Sequence, residues 1–366
     1  MPEKLQKQLI SDDEVRQVLE KINSLPKDKR VALVVHKNPP PDPDALASAL
    51  AWQMALDDRG IKSDIFSGGA ISHPQNIAMI NCLKIELRDE KYWERNSNNY
   101  GLVIFCDTCH NNAAINVRPD IIFDHHMNSP IIDGCLNLIK KVGANSTIVY
   151  HLLKKIGAEF SHPSLIATAL AVGIDTDTKS LAKVDEVTEF DLSAHRELLS
   201  LVDYALFKHL TERFEVTRGF FKCLKMALSE NIDAIFVGSM AVLGVGEIKQ
   251  SQIDYIPLIA DMVLRTEQVR LVVVIVIVEG QFIKASVRTD LESIQIDQFC
   301  KEVFGAETSS ELVSTGARPG SGGAKVLFSA SEQREWTCAM PEEKQVLLNI
   351  KLRYYRHRIE EILPDA

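Results

Sequence analysis

Short, uninterrupted apolar runs recur along the first two-thirds of the chain, separated by stretches whose apolar residues fall at helical spacing. VALVV (31–35) leads into a helix-like stretch from Pro43 to Asp58, which Gly60 stops. IKSDIF (61–66), GLVIFCD (101–107) and DIIFD (120–124) read as further strands, the last two ending in aspartate. STIVYHLLKKIG (146–157) and HPSLIATALAVGI (162–174) have helical spacing. A strand that is apolar at every position must be buried on both sides. The pattern therefore predicts an α/β fold with a largely parallel sheet and helices on both faces. Ligands of such sheets bind beyond the carboxyl ends of the strands.

From about 183 to 230 the chain is helical and charged, without a turn-rich hinge. A smaller α/β unit follows. Its expected elements are strands near 233–246, 268–278 and 281–288, and helices near 252–265 and 294–303. Glu279-Gly280-Gln281 reads as a hairpin turn. TGARPGSGGAK (315–325) reads as a glycine-rich loop, and residues 342–362 as one long packing helix. The expected domains are 1–190, a helical connector over 191–230, and 231–366.

Composition narrows the function classes. With 46% hydrophobic and 25% charged residues the chain is an ordinary globular sequence. Its longest apolar run, LVVVIVIV (271–278), is far too short to span a bilayer. MPEKLQKQLISDDE contains no apolar signal region, which makes a cytoplasmic address, with no membrane partner, the expectation. A net charge of −9 disfavours a protein that grips long duplex nucleic acid through many phosphates. Seven cysteines, an odd number, do not suggest a disulfide framework in such a chain. Cys106-Asp-Thr-Cys109-His110 has the spacing of haem attachment, but without an export signal it reads better as buried thiols at a strand end.

The acids and histidines converge on one edge. His36 follows the first strand, Asp107 and Asp124 end two others, and Asp175 and Asp177 follow ALAVGI. Asp124-His125-His126 adds adjacent imidazoles. Carboxylate and histidine donors without thiolate suit Mn²⁺, with Mg²⁺, Zn²⁺, Fe²⁺ or Co²⁺ as competitors. So many buried acids without a cation would repel one another severely.

These residues carry a resemblance. HKNPPPDPDA (36–45), VIFCDT (103–108), FDHHMNS (123–129) and GIDTDT (173–178), in that order, resemble the motifs of the DHH phosphoesterase superfamily, named for the triplet at 124–126. VGANSTIVYHLL (142–153) also resembles the stretch after the triplet in relatives. The second domain resembles the DHH-associated domain of the RecJ-like and nanoRNase branch, through ASVRTD (285–290) and, in part, RPGSGGAK (318–325).

The resemblance implies two divalent metal ions, most typically Mn²⁺, in a cleft between the domains. One would be held by His36, Asp42 and Asp107, the other by Asp44, Asp107, His125 and Asp177, with Asp107 bridging. His126 would face the scissile phosphate and Asp124 would orient the histidines, so that His126, Asp124 and Asp107 form the implied catalytic set. Arg288, Arg318, Gly322, Gly323 and Lys325 become candidate substrate contacts. In relatives a histidine follows the glycines; here Ala324 and Lys325 stand in its place.

The implied activity is hydrolysis of short oligoribonucleotides or linear dinucleotides such as pGpG and pApA, through in-line attack by a hydroxide held between the metals. Phosphatase action on 3′-phosphoadenosine 5′-phosphate (pAp), cleavage of cyclic dinucleotides and non-hydrolytic nucleotide binding are the alternatives. Whether the chain is a homodimer stays open. Asp42 lies six residues after His36, two more than in the family. Either His36 still reaches the first metal, or Asn38 or a water takes its place.

Overall fold

Six strands among the described residues, three of them largely continuous apolar runs, build the sheet of the first unit, Met1–Glu215. They are β1 (Arg30–Val34), β2 (Ser63–Phe66), β3 (Leu87–Arg88), β4 (Tyr100–Cys106), β5 (Ile121–Asp124) and β6 (Leu136–Ile139). They form a sheet in the order β3-β2-β1-β4-β5-β6 with every pair parallel, as the apolar runs predict. The protein is described by a computed structural model covering residues 8–158, 160–229, 235–305, 313–318 and 320–363. The order reverses between β1 and β4, so the chain leaves these neighbours in opposite lateral directions. The crevice left there is where open α/β sheets receive ligands. His36 and Asp107 follow those two strands.

The helices of this unit are α1 (Asp12–Asn23), α2 (Pro43–Asp57), α3 (Pro74–Leu83), α4 (Glu90–Asn96), α5 (Asn145–Lys155), α6 (Pro163–Asp177), α7 (Glu189–Leu199) and α8 (Tyr204–Thr211). Residues of α2, α5 and α6 share a core with Leu33, Ile65, Ile104 and Phe123, where Trp52 stacks on Phe123 at 5.1 Å. The other sheet face is covered more thinly. Tyr92 and Trp93 of α4 and residues 113–117 pack against Val34, Phe66 and Phe105.

The second unit, Val216–Ala366, has its own mixed sheet. Its strands are β7 (Phe236–Val237), β8 (Met240–Ile248), β9 (Leu271–Val278), β10 (Phe282–Thr289), β11 (Val313–Arg318) and β12 (Ser321–Leu327), in the order β11-β12-β10-β9-β8-β7. Among the described residues, β8 and β9 run parallel and every other neighbouring pair antiparallel. One face packs under α9 (Arg218–Ala227) and α10 (Tyr255–Val263), the other under α11 (Ile296–Gly305), α12 (Ala330–Cys338) and α13 (Pro341–Ile362). All eight residues of β9 are buried, which accounts for its unbroken apolar run. The hairpin after it has Glu279 and Gly280 at φ of 48° and 63°.

The stretch 191–230 is divided between the units. Its first two helices, α7 and α8, contribute Ala194, Leu198 and Leu210 to the core of the first, and α9 packs in the second. The expected glycine-rich loop at 315–325 is instead mostly strand, β11 and β12. Glycine suggested a turn, but here it is needed for close packing. A Cβ on Gly323 would stand 2.4 Å from the Ala285 carbonyl oxygen, and one on Gly322 2.5 Å from Ile296 Cγ2. No helix among the described residues is long and apolar enough to cross a membrane.

Candidate metal centre

The proline loop delivers its groups from the start of α2. Asp42 is the N-cap and accepts the Ala45 N–H at 3.1 Å, with Pro43 in the first turn. Proline suits this position because its missing N–H would be unpaired there anyway. Asp44, in the first turn of α2, is fully buried. Its two oxygens accept the N–H groups of Asn145 at 2.6 Å and Ser146 at 2.7 Å. Ala144, the N-cap of α5, has no side chain that can cap. Asp44 therefore satisfies the open N-terminus of a helix about a hundred residues away, where the dipole favours an anion.

His36 is buried, and its imidazole Nδ1 lies 2.7 Å from the Pro39 carbonyl oxygen. The inserted prolines thus supply the acceptor that orients the ring. Its other nitrogen, Nε2, is 3.9 Å from Asp42 Oδ1 and 3.9 Å from Asp107 Oδ2. Asn38 is exposed, with its N–H donating to Asn112 Oδ1. The two-residue insertion bulges outward while His36 stays with the acids.

Asp107 sits between two groups. Its Oδ2 faces His36, and its Oδ1 lies 3.4 Å from His125 Nε2 and 3.6 Å from His126 Nδ1. Its φ of +55° is unfavourable for a residue with a side chain. Backbone strain of this kind costs about 1–3 kcal/mol and persists only where the surroundings enforce it. His125 Nε2 is also 3.2 Å from Asp177 Oδ2, at the last residue of α6. Its Nδ1 is held by the Val142 carbonyl oxygen at 3.2 Å.

Among the described residues, three sets of donor atoms converge within 4.8 Å: His36, Asp42 and Asp107; Asp44, His125 and Asp177; and Asp107, His125 and His126. All six residues expected as metal ligands fall in the first two sets. Asp175, two residues before Asp177, belongs to none of the sets; it accepts from Ser180 Oγ at 3.3 Å and lies 3.9 Å from His195 Nε2.

Asp124 is buried and takes three donors. The His126 N–H at 3.0 Å and its ring Nδ1 at 2.8 Å meet one oxygen, and the Ser129 hydroxyl meets the other. Burial pushes the Asp124 carboxyl up, but these donors outweigh it and hold it below the usual carboxylate range. Asp124 thus orients His126 alone, whereas both histidines were expected to depend on it. His125 is oriented by Val142. The His126 ring, largely exposed, is raised chiefly by its bond to Asp124.

The electrostatics of the cluster suit a divalent cation. Burial, and then Asp42, push the Asp107 carboxyl up to about 7. Burial and the carboxylates of Asp107 and Asp177 likewise raise Asp44. Burial pulls His36 down, but Asp42 and Asp107 outweigh it and bring the imidazole to about 9. Asp107 Oδ1 and His125 Nε2 are buried without a hydrogen-bond partner. Buried polar atoms are ordinarily bonded, so a converging pair of orphans fits a bound ion. The residues present fit divalent metal.

The second unit brings together a different set. On β10, Lys284, Ser286 and Arg288 share one face, in register with Lys325, Gly323 and Ser321 of β12. Arg288 Nε bonds Asp261 at 2.6 Å, and Lys325 Nζ lies 4.3 Å above the Phe282 ring. Arg318 lies in β11 in register with Ser321. Gly322 and Gly323 lie in a strand paired on both edges, so their N–H groups serve the ladder and not a loop that cradles phosphate. The sequence reading missed Lys284, directly opposite Lys325. Like charges so placed are destabilising, and burial and Lys325 together lower the Lys284 ammonium. Its alternation with Ser286 and Arg288 was the available signal.

Residues 30–174 match the family model described as DHH family, N-terminal domain. An uncharacterized protein of Methanocaldococcus jannaschii is 30% identical over 287 residues, 78% of this chain and 58% of that protein. The match thus spans under two thirds of that relative. The crystal structure of an exopolyphosphatase-related protein from Bacteroides fragilis aligns with a TM-score of 0.63 at 16% identity, over 97% of this chain and 99% of that one. At that identity the likeness shows the fold.

Proposed function

We propose, from the match of residues 30–174 to the DHH family N-terminal domain, that the chain is a two-metal phosphodiesterase acting on short oligoribonucleotides or linear dinucleotides. The observation that carries this reading is the pair of Asp/His sets meeting at Asp107, one on each of its oxygens. Two ions so held, Mn²⁺ by the hardness and mixture of the donors, would activate water and neutralise the phosphoryl oxygens. The chain's own groups position the rest. Asp124 fixes the His126 ring, whose raised proton affinity favours a positive charge facing the phosphate. Pro39 and Val142 fix the rings of His36 and His125.

The strip of Lys284, Arg288 and Lys325 on the second unit supplies cations for the phosphates or bases of a short substrate. The chain's net charge of −9 favours such a substrate over a long strand.

The test is incubation with Mn²⁺ and a panel of pGpG, pApA, pAp, cyclic dinucleotides, pyrophosphate and polyphosphate. Linear dinucleotides should give mononucleotides, with activity lost on chelation and restored by Mn²⁺. Turnover of none, with tight binding of one, would identify a non-hydrolytic binder. Preference for pyrophosphate or polyphosphate would overturn the substrate assignment and keep the metal chemistry.

A further inference from the structure

Asp191, in the first turn of α7, is fully buried and accepts four hydrogen bonds. They come from the Gly143 N–H at 2.9 Å, the Thr147 hydroxyl at 2.6 Å, and the N–H and hydroxyl of Thr188 at 2.8 and 2.7 Å. The Thr188 pair is an ordinary helix cap. The other two are not, because they cross about 45 residues of chain to grip the segment 142–147 at both ends.

That segment holds two members of one metal-type set and packs against the residue that follows the third. Val142 O holds His125 Nδ1, and the N–H groups of Asn145 and Ser146 hold Asp44. Thr178, the residue after Asp177, packs so tightly on Gly143 that a Cβ there would stand 2.6 Å from Thr178 Cγ2 and 3.4 Å from the Asp191 carboxyl. The His36, Asp42 and Asp107 set is held by other groups: the Pro39 carbonyl, the Ala45 N–H and the Phe123 carbonyl oxygen that accepts from Asp107 N.

We infer that Asp191 is a positioning residue for the Asp44–His125–Asp177 metal site, acting through residues 142–147, and that the His36–Asp42–Asp107 site does not depend on it. The inference rests on the two-metal reading. Substituting a group that orients a metal ligand commonly costs 10–100-fold in affinity, and Asp191 acts one step further out. About tenfold is therefore expected at one site and none at the other.

Mn²⁺ titration of the 366-residue chain, followed by calorimetry and by the electron paramagnetic resonance signal of free Mn²⁺, reads both sites without turnover. Asp191→Ala should weaken one class of site about tenfold and leave the other within twofold. The weakened class should be the one lost in Asp177→Asn and retained in Asp42→Asn. Thr147→Val, which removes one grip on the segment and leaves the cap of α7 intact, should weaken the same class if Asp191→Ala fails to fold. Asp191→Asn keeps an acceptor where three of the four donors meet, and should recover most of the affinity. Thr188→Val is the structural control, expected to lower Tm without moving either class. Equal loss at both sites, or a lower Tm with both affinities unchanged, would overturn the inference. A wild-type protein that binds no Mn²⁺ would overturn the two-metal reading itself.

Discussion

At the scale of single residues, Asp107 concentrates the most consequence, because each of its oxygens faces a different set of donors. Asp107→Asn replaces one acceptor by a donor and removes the shared charge. Both classes of Mn²⁺ site should weaken, and turnover should fall by about a thousandfold or more, the scale expected when charge stabilisation at the transition state is lost. Tight binding at both sites in that variant would refute the bridging arrangement. The same residues give binding a pH dependence. Asp107, raised to about 7, and His36, raised to about 9, hold protons near neutrality that a cation must displace. Affinity for Mn²⁺ should therefore rise from pH 6 to 8, and calorimetry in buffers of different ionisation enthalpy should show net proton release. Affinity independent of pH would mean the carboxylates are already free of protons. All six ligand candidates were legible in the sequence as residue types in the order of the family's motifs, with the His36–Asp42 spacing two residues longer. What held them was not. The Pro39 carbonyl at His36 and the α5 N–H groups at Asp44 are contacts made by the fold, the latter across about 100 residues.

At the scale of elements, α6 carries the sharpest constraint. Gly173 lies in its middle, where alanine should favour the helix by about 1 kcal/mol. Yet a Cβ on Gly173 would stand 2.3 Å from Ser146 Oγ and 3.0 Å from Asp44 Oδ1. Those atoms lie on α5 and α2, so this glycine permits three helices to meet around a buried carboxylate. Gly173→Ala should destabilise by about 1–3 kcal/mol, the usual cost of overpacking, and should loosen Mn²⁺ at the Asp44 site. Urea unfolding and metal titration read the two effects separately, and a stabilised variant would show that the helices can part without cost. Nearly continuous apolar runs made β1, β4 and β5 legible, because burial on both faces leaves no alternation to misread. The two residues of β3 were too few to stand out, and β6 (LNLI) interrupts its apolar residues with Asn137 and is mostly half-buried. The glycines of β12 misled for a physical reason: absence of a side chain serves a crowded sheet as well as it serves a turn.

At the scale of the whole molecule, the described residues form cores that do not mix between the two units. Every member of the first unit's clusters lies before residue 216, and every member of the second's lies after 215. The helical stretch between them showed no boundary in the sequence, since α7, α8 and α9 follow one another through short connections without a turn-rich hinge, and the core each joins is set by the fold. All six metal-ligand candidates fall in the first unit, and the strip of Lys284, Arg288 and Lys325 falls in the second. Metal affinity and substrate capture should therefore separate on truncation. A fragment of residues 1–215 buries its own core and should unfold cooperatively. Each of its two Mn²⁺ affinities should lie within about threefold of the intact chain. Its kcat/KM on a linear dinucleotide should fall by at least about a hundredfold, the loss of two charge-assisted contacts worth about 1.5–3 kcal/mol each. Calorimetry and a chromatographic assay for mononucleotide release measure the two quantities. Full turnover by the fragment would show that the cations of the second unit serve some other ligand, and loss of Mn²⁺ binding would show that the first unit needs the second to hold its ligands in place.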